Sequence, residues 1–378
     1  MLNFKPLQRI IHRMVYFRQG NSSLTEPNVR PYNPGMVKLK DVAAAAGVSQ
    51  ATASLVLNNR PGVNAQTRAR VLAIAKRLGY APNPLARNLA TRRSHTIGLV
   101  VTDIENPFFA ALTRHLDVYV KEHGYGLILS LSSDDVVKQN QIVEDFVGKM
   151  VEGVLIVPAL HDIGRRFHAF KKLDASGVPY VFVSSYYPGF PADCAMADLT
   201  RGSCDMANHL LDCGHRDIVF LSVEDDTVIP AATRIDGFRQ ALSDRSLTFS
   251  DRMIVRARHP DYQSGLDATR LLLGQRKPDA IMAMNDILAL GAVRAIVDRG
   301  YRIPADIAVA GYDNVIYSSI SQVPLTTVYQ DLDRMSHDAV DMLFRRISGD
   351  RSDHPLLQLV RPELVVREST GGRNTLTV

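Results

Sequence analysis

The sequence predicts two unequal folds in one chain: a small all-α unit containing a helix-turn-helix, and a larger α/β body built on parallel sheets. Three observations carry this prediction. Charge is divided unevenly, with ten Lys and Arg side chains against Asp41 alone over residues 37–97, whereas acidic residues outnumber basic ones from residue 98 onward. Apolar residues between 39 and 78 recur with the helical period and are punctuated by Gly, Ser and Asn where caps belong. Beyond Thr96, strand-sized apolar runs alternate with helical stretches, the signature of βαβ units. The 378 residues, 46% hydrophobic and 22% charged, suffice for two or three packed domains.

Residues 1–36 combine Arg-rich apolar patches with a Ser-, Asn-, Pro- and Gly-rich stretch and lack the apolar core of a secretory signal. They are expected to be a disordered or mis-assigned extension ahead of Met36. Leu39, Val42, Ala43 and Ala46 then fall on one face of a short helix, which Gly47 stops. Ser49 suits the N-cap of a second helix running from Gln50 to Asn58. Within it Ala53, Val56 and Leu57 share one face, while Gln50, Ala51, Ser54, Leu55 and Asn58 share the opposite, outward face. Leu55 could be read as a core residue, but its angular position places it with Gln50 and Ser54. Two helices joined by a short Gly turn form a helix-turn-helix, whose second helix fits a DNA major groove, and the basic charge suits such a partner.

A third helix opens at Asn64, buries Val71, Ile74, Ala75 and Leu78, and ends at Gly79. Asn83 and Pro84 then suit the start of a helix of roughly eight residues, too short to stand alone in water, so it is expected to order only when something packs on it. In the body, strands are expected at 97–102, 126–131, 153–158, 178–184, 217–223, 253–258, 279–284 and 307–311. Ligands of open α/β sheets sit beyond the carboxyl ends of strands, which here carry Asp103 to Phe109, Ser184 to Tyr187, Asn285 with Asp286, and Asp313.

Several function classes are excluded. No run approaches the length of a membrane helix. Cys194, Cys204 and Cys213 are too widely spaced for a metal knuckle and odd in number, which suits a reducing cytoplasm. The 11 histidines show no ligand spacing, and no dinucleotide, phosphate-loop, zinc-protease or serine-hydrolase signature occurs. No catalytic residue, metal or cofactor is therefore expected.

Leu39-Lys40-Asp41-Val42-Ala43, Ala46-Gly47-Val48-Ser49, Val56-Leu57-Asn58, Gly79-Tyr80-Ala81-Pro82-Asn83-Pro84 and Ala86-Arg87-Asn88-Leu89 resemble the lactose-repressor/galactose-repressor (LacI/GalR) family. The resemblance continues in Asn106-Pro107-Phe108-Phe109, Arg234-Ile235-Asp236-Gly237-Phe238, Ala283-Met284-Asn285-Asp286, Gly311-Tyr312-Asp313 and Arg361-Pro362-Glu363-Leu364, in the family's order, over about residues 37–370. It implies a periplasmic-binding-protein type I body of two Rossmann-like lobes, crossed three times by the chain. The expected organisation is a helix-turn-helix domain at 37–82, a hinge helix and linker at 83–96, and an effector-binding and dimerisation domain at 97–370. One lobe is expected at about 97–196 plus 329–355, the other at about 197–328 plus 356–370, with a tail at 371–378.

At the DNA end the resemblance implies that Gln50, Ala51 and Leu55 face bases, and that Ser49, Thr52, Ser54 and Asn58 hold phosphates. Many relatives carry Arg or His at the position of Leu55. Bidentate guanine reading from Ala51 and Leu55 is thus missing, leaving Gln50 for adenine and Leu55 for a thymine methyl. Leu89 matches a leucine wedged into the minor groove, and Arg87 would add a phosphate contact. Effector contacts are expected from Asp103, Phe108, Arg234, Asn285 and Asp313, with Tyr186, Asp286 and Gln330 beside them. Carboxylates, amides and a guanidinium suit paired hydroxyls, so a sugar or related polyol is implied. The expected function is that of a cytoplasmic, nucleoid-associated repressor, a homodimer on a pseudo-palindromic operator. The competing reading, a sugar-binding protein without DNA function, is opposed by the helix-turn-helix and by the missing signal peptide.

Overall fold

The computed structural model describes residues 37–80, 93–160, 168–225 and 228–371. The chain divides into two compact units, one ending at Arg87 and the other beginning at Asn88. The expected hinge helix, with Arg87 and Leu89, lies outside the described residues.

The first unit is three helices, and local chemistry fixes each end. Helix α1 (Leu39–Ala46) begins with the Lys38 N–H donating to Asp41 Oδ2 at 2.8 Å and ends at Gly47, whose φ of 61° only glycine adopts without strain. Helix α2 (Gln50–Leu57) is capped by Ser49 Oγ, which accepts from the Thr52 N–H at 3.0 Å. Helix α3 (Ala65–Leu78) is capped by Asn64, whose Oδ1 accepts from the Thr67 N–H at 2.8 Å, and Gly79 closes it with a φ of 64°. Their common core is Val42, Ala43, Ala46, Ala53, Val56, Val71 and Ala75, with Leu57, Ile74 and Leu78 packed at its edge.

The second unit holds two parallel sheets. Strands β1 (Thr96–Val101), β2 (Gly126–Leu131), β3 (Gly153–Ile156), β4 (Tyr180–Val183) and β5 (Asp193–Ala197) form the first, and β6 (Ile218–Val223), β7 (Ile254–Ala257), β8 (Ala280–Ala283) and β9 (Ala308–Ala310) the second. Strand β5 was not expected, because Asp193-Cys194-Ala195-Met196-Ala197 lacks β-branched residues, opens on a charge and follows β4 without an intervening helix. Strand β10 (Thr327–Tyr329) pairs antiparallel with β12 (Glu363–Val365) as a separate ribbon. Strand β11 (Leu357–Val360) pairs with β5, giving the first sheet the order β11-β5-β4-β3-β1-β2. The first lobe thus runs to residue 360, where the sequence expectation ended it at 355; alternating exposure hides this edge strand from a search for apolar runs.

Helices α4 (Pro107–Glu122), α5 (Val136–Gly148), α6 (His168–Ser176) and α12 (Leu332–Ile347) belong to the first lobe. The second lobe has α7 (Leu199–Asp212), α8 (Ile229–Asp244), α9 (Tyr262–Gln275), α10 (Asp286–Asp298) and the short α11 (Ile316–Ile320). Two helix pairs touch backbone to backbone. A Cβ on Gly237 of α8 would lie 2.2 Å from the Thr200 carbonyl oxygen, and one on Gly291 of α10 would lie 2.3 Å from that of Tyr262. One continuous apolar core runs through both sheets. Central strands such as β1, β3, β6 and β8 are buried on both faces and read as unbroken apolar runs, whereas the edge strands β2, β7 and β11 are partly exposed.

Candidate functional site

In the first unit, the Ser49 cap sets the exposed N-terminal turn of α2. Ser49, Gln50, Ala51 and Asn58 are exposed, and Thr52, Ser54 and Leu55 are half-buried. Ala53 and Val56 of the same helix are buried, and Leu57 packs against the core that Leu55 does not join. Asn58 donates through Nδ2 to the Ser54 carbonyl oxygen at 3.0 Å, and Ser49 Oγ lies 2.9 Å from Thr52 Oγ1. The outward face therefore presents the amides of Gln50 and Asn58, hydroxyls and a half-exposed leucine, with its backbone N–H groups aimed past the helix start, a surface able to hold phosphates and touch base edges. Arg68 is engaged elsewhere, donating to Asn59 Oδ1 at 3.0 Å and to the Arg60 carbonyl oxygen.

In the second unit, a cavity of about 760 Å³ opens between the carboxyl ends of the two sheets. Of the eight side chains expected around an effector, Asp103, Phe108, Arg234, Asn285, Asp313 and Gln330 line it; Tyr186 and Asp286 do not. Asp103 follows β1 and accepts from the Glu105 N–H at 2.8 Å. Asn106 caps α4 through the Phe108 N–H, and Pro107 takes the first helical position, so these two shape the helix that carries Phe108 to the cavity wall. Asn285 is occupied, its Oδ1 capping α10 through the Leu288 N–H and its Nδ2 donating to the Pro260 carbonyl oxygen.

The deep end is a polar cluster. Asp313 Oδ1 accepts from Gln330 Nε2 at 2.6 Å and from an Arg234 terminal nitrogen at 3.4 Å. The guanidinium also donates to the Pro230 carbonyl oxygen and lies 4.1 Å from the centroid of the Tyr312 ring. Asp313 adopts a φ of 104°, a conformation that costs free energy and that its surroundings must enforce. Burial pushes its carboxyl up to about 6, against the pull of Arg234. Arg234 Nε, Gln330 Oε1 and Ser185 Oγ are buried without a hydrogen-bond partner, and all three residues line the cavity.

Asp286 is turned away from this cavity and wholly buried. It accepts from Thr327 Oγ1 at 2.7 Å and from the Val315 N–H at 2.8 Å, joining α10 to the segment that carries Asp313. Burial, then the Asp313 charge, raises its carboxyl to about 8. Tyr186 is half-buried, and its neighbours Ser184 and Ser185 reach the cavity instead. Sequence reasoning placed Ser184 to Tyr187 at a strand end but singled out Tyr186 rather than Ser185; the φ of 68° at Ser184 breaks the two-residue alternation there, so adjacent serines both reach the cavity. It also missed apolar wall residues such as Leu131, Val157 and Met284.

Among the described residues no group of three or more His, Cys, Asp or Glu could hold a metal ion, and no helix is long and apolar enough to cross a membrane.

A helix-turn-helix unit followed by a two-sheet body with a cleft between its sheets defines a class of ligand-responsive DNA-binding regulators. Residues 38–83 match the lacI family of bacterial regulatory proteins, and residues 207–370 match the periplasmic binding protein-like domain. The chain is 32% identical to the HTH-type transcriptional regulator DegA of Bacillus subtilis over 89% of its own length and 98% of DegA. It superposes on the lac repressor dimer bound to operator and the anti-inducer ONPF with a TM-score of 0.79 at 28% identity, covering 88% of this chain and 99% of that one. The transcriptional regulator CelR in complex with cellobiose gives a TM-score of 0.66 at 29% identity, with 88% and 99% covered. The chain belongs to the LacI family of bacterial regulatory proteins: it is a DNA-binding transcriptional regulator and not an enzyme.

Proposed function

We propose that this regulator is a homodimeric repressor whose affinity for a pseudo-palindromic operator is set by a small polyhydroxylated metabolite held between its lobes. The observation that carries the reading is the buried Arg234–Asp313–Gln330 cluster at the deep end of a cavity whose walls come from both sheets. A ligand touching both lobes has different contacts when they approach or part, and this is the differential affinity that an effector requires. The similar regulator CelR in complex with cellobiose supports a saccharide as the ligand class.

Ser49, Thr52, Ser54 and Asn58 hold phosphates in this reading, while Gln50, Ala51 and Leu55 face bases. Arg87 and Leu89 act from a hinge helix that orders on DNA, Leu89 as a minor-groove wedge. Lobe movement alters the spacing of the two hinge helices of a dimer, coupling effector to operator by a free energy of about 1 to 3 kcal/mol that is necessarily reciprocal. Leu271, Ile316 and Ile320 are large apolar side chains left exposed on the second lobe, and a second copy would cover them. A nucleoid-associated location in the cytoplasm follows from this role.

The test begins with an operator selected from a random duplex pool by the intact protein. Arg234→Ala is expected to retain affinity for that operator and to lose every effect of the small molecule on it, read by fluorescence anisotropy. A normal response in this variant would remove the cavity from the reading.

A further inference from the structure

Resting on the homodimer reading above, in which a second copy covers Ile316 and Ile320, we infer that Arg367 and Asp286 are positioning residues for dimerisation. They hold α11 in the one orientation that turns Ile316 and Ile320 outward and sets Tyr317 on the cavity wall. Five residues are too few for a helix to persist on its own hydrogen bonds. Apolar packing does not fix this helix either, because within it only Ser318 is buried, while Ile316, Tyr317 and Ile320 are 61%, 48% and 68% exposed. Ile316 and Ile320 stand one turn apart on the outer face, and Ser318 lies on the inner one.

Polar contacts converging on its start from two directions hold α11 instead. Asp286, at the head of α10, accepts from the Val315 N–H through Oδ2 at 2.8 Å and from the Thr327 hydroxyl through Oδ1 at 2.7 Å. Gly311 leaves room for this carboxyl, which any side chain there would displace. From the other direction Arg367 spreads both terminal nitrogens over the same turn. One donates to Asn314 Oδ1 at 2.6 Å, the other to the Leu325 carbonyl oxygen at 2.7 Å and to Ser318 Oγ at 3.3 Å. Ser318 Oγ in turn donates to the Val315 carbonyl oxygen at 2.7 Å. Arg367 is itself anchored, since Thr326 Oγ1 accepts from its N–H at 2.9 Å and donates to its carbonyl oxygen at 3.0 Å. A planar guanidinium bridges acceptors that a single ammonium does not span. Asn314 enters the helix with a φ of 51°, a bend that these contacts enforce. Asp286 is wholly buried and both terminal nitrogens of Arg367 are directed at this turn, so the two residues act on a second copy through α11.

The experiment is sedimentation equilibrium of the full-length protein without DNA, over a concentration series that yields the dimer dissociation constant. Ile320→Glu is expected to raise that constant by about 100-fold or more, because it sets an unpaired charge against a second copy. Arg367→Met keeps the stem, removes the bridge and is expected to raise it about tenfold or more. Asp286→Ala should do likewise, whereas Asp286→Asn, which still accepts from the Val315 N–H, should stay within about twofold of the parent protein. A cycle with Ile320→Ala separates positioning from general loosening. That change is expected to cost about tenfold in the parent protein and about twofold or less beside Arg367→Met, where the helix no longer presents Ile320. Equal loss in both backgrounds, or a parent-like constant in Arg367→Met and Asp286→Ala, overturns the assignment and leaves the dimer face standing. A dimer unmoved by Ile320→Glu removes that face from the reading above, and this inference with it. The thermal transition of each variant reports whether it folds. If Arg367→Met does not, Asn314→Gly suits the positive φ, removes one acceptor and carries the same cycle at a smaller factor.

Discussion

The helix-turn-helix unit and the α/β body place their functional groups in opposite ways. The small unit has a core of seven valines and alanines and puts its chemistry outside, on ten consecutive residues of one cap and one helix. The body encloses its polar cluster under a large continuous core and assembles it from residues as distant as Arg234 and Gln330. The difference is energetic as well as geometric. A surface that meets DNA can remain hydrated until it binds, whereas a guanidinium, a carboxylate and an amide inside a cleft must be held by one another, since an unpaired buried charge is costly.

The sharpest way to break this comparison is to remove buried methyl groups from each core. Leu116→Ala on α4 is expected to lower the stability of the body by about 2 to 5 kcal/mol and leave it folded, because the surrounding core is large. Val71→Ala on α3 deletes less, roughly 2 kcal/mol, yet is expected to unfold the small unit, since domains of about 60 residues or fewer are marginal. Hydrogen exchange on the intact chain separates the two. Protection over residues 39–78 and operator binding should vanish in Val71→Ala, with the thermal transition of the body unmoved. Retained operator affinity would mean that the small core is better supported than its composition indicates.

The buried acids of the body sharpen the contrast through pH. Asp286 has an ordinary value of 3.8 and is raised to about 8 in the fold, chiefly by burial and then by the Asp313 charge. A carboxyl raised by folding favours the folded state below its ordinary value, and that contribution is lost as pH climbs toward the raised one. Asp286→Asn keeps an acceptor for the Val315 N–H and a partner for Thr327 Oγ1 without a charge. Its melting temperature is expected to gain on that of the parent protein between about pH 4 and 8, most at the upper end. A gap that does not change with pH would show that Asp286 is charged and paired throughout this range.

The same contrast explains how much was legible in the sequence. In the small unit, fold and function are written in consecutive residues, so Ser49, Asn64, Gly47 and Gly79 mark the helix ends and the helical period separates Leu55 from Val56. In the body, apolar runs reveal β1 to β4 and β6 to β9, and strand ends point to Asp103, Asn285 and Asp313. Strand β5 is hidden by its lack of β-branched residues and its opening aspartate, and β11 by its exposed edge. Asp286 differs from Asn285 by one residue, yet the first turn of α10 sends one carbonyl-bearing side chain to the cleft and the other into the protein. Which of two adjacent polar residues faces a ligand is decided by side-chain direction at a strand or helix end, and composition carries no record of it.

The smallest effect tests whether the two units act independently. Ser49→Ala removes the acceptor of the Thr52 N–H and leaves the first turn of α2 with one more orphan donor, at a cost of about 1 kcal/mol. Because that turn carries Gln50 and Ala51, fraying it is expected to weaken operator binding by about five- to tenfold, the loss that such an energy corresponds to. Effector affinity measured without DNA should stay unchanged, since the described residues that line the cavity all belong to the other unit. With operator bound, however, the reciprocal coupling between the sites remains, so the effector should shift operator affinity by the same factor in Ser49→Ala as in the parent protein. A changed factor would place part of the coupling inside the recognition helix itself, and the separation between a surface that binds and a body that decides would have to be redrawn.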